Sequence, residues 1–197
     1  MKALKIIGIV IGSIIVLVLI IAGVVWFLMS RPSKLTKDVT LVVPSAAASQ
    51  SLDNKWQTFQ TEVTQSQPGT PVTITLTQQE VDSKINDGLK TANLPAGLTV
   101  SKMNVNLTDG KILLAATVQY SVFSGNAGMV ATVDIVNGQP TITVTNIDMG
   151  SLPFPQSLKD QLKSLIPQDA LFQTNSSFQA QSIDISNGLL TIRGVTQ

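Results

Sequence analysis

The hydrophobic pattern of this chain begins as one unbroken run and then breaks into short periodic pieces. Residues 6–29 form 24 consecutive positions in which Ser13 is the only clearly polar side chain. Wound as a helix at about 1.5 Å per residue, the run is about 36 Å long, enough to cross the ~30 Å hydrocarbon core of a bilayer with some tilt. Signal-peptide cores are about 7–15 residues long, and the nearest small-residue cleavage pattern, at Ser45 to Ala48, lies well past the run. The pattern therefore predicts an uncleaved single-pass transmembrane helix at 6–29, preceded by a short head at 1–5. A stalk at 30–50 follows, with Pro32, Pro44 and a run of small residues, and then a soluble domain at 51–197.

Within the domain the period alternates between helix and strand. Leu52, Trp56, Phe59 and Val63 recur at steps of four, three and four, one face of a helix that Pro68-Gly69 ends. Val72 to Leu76 alternates at period two, as a half-buried strand does. Thr77 and Glu80 stand at capping-box spacing ahead of a helix over about 78–92, whose stripe is Val81, Ile85 and Leu89. Three segments then share one hairpin pattern of alternating aliphatics around Asp109-Gly110, Asn137-Gly138 and Asn187-Gly188. Asp-Gly and Asn-Gly pairs accept the positive φ angles of type I′ turns. Between the second and third hairpins, Leu158, Leu162, Leu165 and Ile166 make another helical stripe bounded by Pro155 and Pro167. The fold class is α+β: a twisted antiparallel sheet of hairpins, read as one meander, with two or three amphipathic helices on one face, preceded by one transmembrane helix. Ile112 to Val118 is apolar on both strand faces. Such a strand is either covered on both sides or part of a sheet curled around an apolar ligand.

Charge narrows the function classes. The net charge of +1 conceals a contrast, because from Asp38 onward there are eight basic and twelve acidic residues, a net of −4. A mildly acidic domain lacks the basic footprint of nucleic-acid binding. The chain has no cysteine and no histidine, which removes thiol catalysis, disulfides, thiolate metal sites and the commonest general base. Glu80 and Asp82 lie two apart on a helix and face different ways, a poor acid–base pair. Ser83-Lys84 and Ser101-Lys102 are adjacent on regular elements and diverge, and the remaining aspartates sit where turn chemistry explains them. The reading is non-catalytic, with no metal or cofactor assigned.

The anchor carries two further readings. Lys2 and Lys5 before the run nearly balance Arg31, Lys34 and Lys37 after it, so the positive-inside rule barely discriminates. A very short head and a long following domain favour an extracytoplasmic domain at the cell membrane. Gly8 and Gly12 stand at GxxxG spacing, which lets two anchor helices approach closely as a homodimer, although glycine is also simply common in membrane spans.

The order of elements and two motifs carry a family resemblance. Leu76-Thr77-Gln78-Gln79-Glu80-Val81-Asp82-Ser83-Lys84-Ile85-Asn86 leads from a strand into a helix, and the repeated Asp/Asn-Gly hairpins follow, closing on Asn187-Gly188. Over roughly Val72 to Val195 the chain resembles YpmS-like bacterial single-pass membrane proteins and, more loosely, LmeA-like lipid-binding proteins. The resemblance implies a tubular lipid-binding type of fold, in which a helix wrapped by a curved sheet shelters acyl chains. Membrane lipids are then the partners, and Val81, Ile85, Leu89, Leu158, Leu162 and Ile166 the acyl contacts; read from the pattern alone, the same residues are helix-on-sheet core. The other surviving function is a structural or assembly factor that binds a membrane or envelope protein through a sheet edge or helix face.

Overall fold

Turn chemistry sets the first level of this fold. Asp109 and Gly110 hold φ of 49° and 72°, Asn137 and Gly138 52° and 75°, Asn187 and Gly188 51° and 75°, the paired positive angles of type I′ turns. They join β2 (Leu98–Thr108) to β3 (Lys111–Tyr120), β4 (Phe123–Val136) to β5 (Gln139–Asp148), and β6 (Phe178–Ser186) to β7 (Leu189–Thr196). The computed structural model describes residues 34–36, 39–91, 94, 97–120, 123–148 and 177–197. The apolar run at 6–29 with Gly8 and Gly12, and the helix expected over 155–167 with Leu158, Leu162 and Ile166, lie outside the described residues.

The hairpins do not form the single meander that their repetition predicts. β2, β3, β4 and β5 make one four-stranded antiparallel sheet, while β1 (Pro71–Thr77), β7 and β6 make a second, three-stranded one. The reason lies in β6. At its start Ala180 N–H donates to Gly138 O at 2.7 Å, so the strand meets the β4–β5 turn. A register shift at Ala180/Ser182 interrupts its pairing with β7, and bulges of this kind bend a strand. At its far end Gly110 N–H donates to Ile185 O at 2.9 Å, and Gly188 N–H to Leu107 O at 3.0 Å. β6 thus runs from the β4–β5 turn to the β2–β3 turn, across the end of the larger sheet, instead of extending that sheet at β5.

The main core fills the angle between the sheets. Leu76, Leu190, Ile192, Val105, Leu107 and Val81 are among its fully buried side chains. Phe59 and Phe178 meet edge to face with ring centres 5.0 Å apart. Backbone comes close here: a Cβ on Gly194 would stand 2.6 Å from the Phe178 ring.

Among the described residues two helices cover this core. α1 (Ala46–Gln65) starts at Ser45, whose hydroxyl accepts Ala48 N–H, and buries Leu52, Phe59 and Val63. It therefore begins inside the stretch that small residues and Pro44 mark as stalk. α2 (Gln78–Thr91) follows β1 without a loop. Its capping box is closed, with Glu80 N–H donating to Thr77 Oγ1 at 3.3 Å and Thr77 N–H to Glu80 Oε2 at 2.8 Å.

The residues ahead of α1 dock on the four-stranded sheet. A 3-10 turn, Lys34–Thr36, packs against β3 and β4, and Lys34 N–H donates to Asp148 Oδ2 at 2.9 Å. Further on, Val42 N–H donates to Asn104 Oδ1 at 3.3 Å. Asp148, Gly128, Ala115 and Asn104 are successive cross-strand partners from β5 to β2, so they form one row on one face of the sheet. That face is opposite the one through which Ile112 and Leu114 enter the core, because alternate strand residues point opposite ways. The leader is thus fixed at both ends of a row whose middle members are glycine and alanine. On β3, Ile112 and Leu114 enter the core from one face, while Leu113 and Ala115 on the other are half-buried on the side where the 3-10 turn packs.

Candidate functional site

α2 is the element on which the molecule's candidate site is built, and its faces do different work. Val81 is completely buried in the main core, with Ile85 half-buried against it. A second face, Gln78, Asp82 and Asn86, lies along β2. Gln78 Oε1 accepts Leu107 N–H at 3.2 Å, Asp82 Oδ1 accepts Val105 N–H at 2.8 Å, and Asn86 Nδ2 donates to Met103 O at 3.0 Å. Among the described residues β2 is an edge strand whose only sheet neighbour is β3. The fit follows from two repeats: four helical residues advance about 6 Å and two strand residues about 6.7 Å. Side chains at i, i+4 and i+8 of α2 therefore reach successive outward backbone groups of β2 and close that edge to other strands.

Two carboxylates on α2 have opposite electrostatics. Burial pushes the Glu80 carboxyl up, but the Lys55 ammonium, the Ser51 hydroxyl and Thr77 together hold it below its ordinary value. Its Oε2 meets Lys55 Nζ at 2.8 Å and its Oε1 accepts Ser51 Oγ at 2.6 Å, while Lys55 also donates to Thr75 O. This network ties α1, β1 and α2 together. Asp82 has no cation partner within it: burial pushes its carboxyl up to about 6, opposed by the Val105 amide, and its Oδ2 is buried with no hydrogen-bond partner among the described residues.

Leu89 continues the Val81–Ile85 face into the last turn of α2. It lines a groove of about 370 Å³ with Pro44, Ala46, Asn86, Lys90 and Val100. Val100 also belongs to a second apolar cluster, separate from the main core, in which Leu98 and Val118 are buried and Ala116, Ala127 and Ile147 pack around them. Of the acyl contacts expected from the resemblance, the described residues thus bring Leu89 to a groove and place Val81 and Ile85 in or against the core.

No family model, curated protein or solved structure matches this chain. Among the described residues no three His, Cys, Asp or Glu side chains cluster as a metal site, and no helix is long and apolar enough to cross a membrane. The edge-closing face of α2 escapes sequence reasoning that follows apolar stripes, yet it left a trace. Gln78, Asp82 and Asn86 keep the i, i+4, i+8 spacing of a helical face, and only the neighbouring strand gives that face a role.

Proposed function

We propose that the chain is a membrane-tethered, extracytoplasmic and non-catalytic lipid-binding module. The observation that supports this reading is the second apolar cluster around Leu98 and Val118, connected through Val100 to the groove beneath Leu89. Its members on β3 and β4 include Ala116 and Ala127, side chains short enough to leave room for a methylene chain. Lys90 stands at the groove with its ammonium 2.6 Å from Asp87, which also lines it, a cation that a phosphate headgroup would meet by displacing Asp87. The YpmS-like resemblance implies the same class of ligand.

The test is a phospholipid with a photoreactive group on its acyl chain, offered to the full chain in detergent. Crosslinked peptides from Leu89 and from 98–100 are expected, and Leu89→Glu should abolish them while leaving the circular dichroism spectrum unchanged. Label confined to residues 6–29 would sink the proposal.

A docking function for a protein partner is favoured by one separate observation. Thr75 O and Thr77 N–H are taken by Lys55 and Glu80, so the odd-numbered residues of β1 turn their backbone groups away from β7. Thr73 is one of them, and it lines a groove of about 630 Å³ beside α1. An extended peptide could add there as a strand. Crosslinking in intact cells from a photoreactive residue at Thr73 would trap such a partner.

A further inference from the structure

The leader exposes two large aliphatic side chains that nothing in the fold requires. Leu41 is 81% exposed and Val43 79%, whereas the next most exposed large apolar residue among the described ones, Val136, is at 49%. Single apolar residues on a surface are ordinary, but these two stand at i and i+2 of a non-helical segment whose backbone is pinned. Val42 N–H is bound to Asn104, Val43 O accepts Gln79 Nε2 at 3.3 Å, and Ser45 N–H donates to Ser83 Oγ at 3.0 Å. These bonds fix the short stretch of backbone that carries both side chains, so the pair is presented as one preorganised apolar point.

Chain length indicates what meets it. The apolar run ends at Met29, and Lys34 is already bound to Asp148. Five residues span at most about 17 Å, so the end of the run stays within that distance of the four-stranded sheet. From β5, where Lys34 is held, to β2, where Val42 is held, is three strand spacings, about 14 Å. Leu41 and Val43 therefore stay within about 31 Å of the end of the run, close enough to reach the bilayer that holds it.

We infer that Leu41 and Val43 insert into the headgroup–acyl boundary of the bilayer that holds the apolar run. The inference rests on the membrane-tethered part of the proposed function and is independent of lipid binding in the Leu89 groove. The occupant is a lipid surface, chosen over a protein because the tether sets the distance and no charged group flanks the pair between Val39 and Ser45.

The chain has no cysteine, so Leu41→Cys, Val43→Cys and Gln181→Cys each give one unique labelling site on an exposed position. The full chain is reconstituted into phosphatidylcholine–phosphatidylglycerol vesicles, labelled with bimane, and quenched with nitroxide-acyl lipid or with aqueous iodide. Labels at 41 and 43 are expected to be quenched severalfold more by the lipid nitroxide than the label at 181, and less by iodide. If 41 and 43 behave like 181 while the chain resists alkaline carbonate extraction, the insertion is wrong and the tether stands. Extraction by carbonate would remove the tether and the insertion together. Shielding from both quenchers would assign the pair to a protein interface, a second copy if it follows protein concentration, and would also overturn the inference.

Discussion

Asp82 and Glu80 show how far two carboxylates on one helix diverge when their surroundings differ. The folded value of Asp82, about 6, lies above its ordinary 3.8, so the folded protein holds a proton that the unfolded chain releases. The stability this group contributes is fully present below about pH 4 and is lost as pH rises through about 6. Glu80 has the opposite sign: its value is lowered from 4.5, so its contribution is present above that and lost as pH falls through the folded value. Melting temperature should therefore decline from about pH 4 to about pH 6 through Asp82 and level off above that, and Asp82→Asn should flatten that decline. Parallel wild-type and mutant curves would assign the slope elsewhere. Glu80→Ala opens the capping box and removes the partner of the Ser51 hydroxyl, while Lys55 keeps Thr75 O, so urea titration should show a loss of about 1–2 kcal/mol. Gly194→Ala drives a Cβ into the Gln179 carbonyl oxygen and the Phe178 ring and should cost about 2–3 kcal/mol by overpacking.

At the scale of elements, local chemistry was readable and partnership was not. The three type I′ turns, the Thr77–Glu80 capping box and the Leu52–Phe59–Val63 stripe all followed from spacing, because each depends on neighbours within a few positions. The division into two sheets did not, since nothing in Val72 to Leu76 says that Ile192 and Leu190 lie opposite Ile74 and Leu76. The role of Gln78, Asp82 and Asn86 was hidden for the same reason: the backbone groups they satisfy lie on a strand about twenty to thirty residues further along. The groove at Leu89 was half legible, its helix stripe visible and its partner Val100 not. The edge closure has its own test. Gln78→Ala should speed amide hydrogen exchange at Leu107, which donates to that side chain, and leave Val105 protected by Asp82. Equal acceleration at both amides would show that α2 leaves the edge as a unit.

On the scale of the whole molecule, the leader unites parts that the sequence separates into stalk and domain. Lys34 to Val42 is held at both ends of the Asp148–Gly128–Ala115–Asn104 row, and a stretch with no hydrophobic period gives no hint of this. Asp148→Ala should free the 3-10 turn and accelerate tryptic cleavage after Lys34, read by mass spectrometry, while cleavage after Lys55, whose side chain is bound to Glu80, stays slow. The docking also has a mechanical meaning. A pull on the N-terminal side of Lys34 loads the Lys34–Asp148 contact first and the Val42–Asn104 contact next, one after the other. The strands of the larger sheet bear load only after both have let go. The leader would then act as a fuse, giving length under tension at low force while the two sheets and their core remain folded.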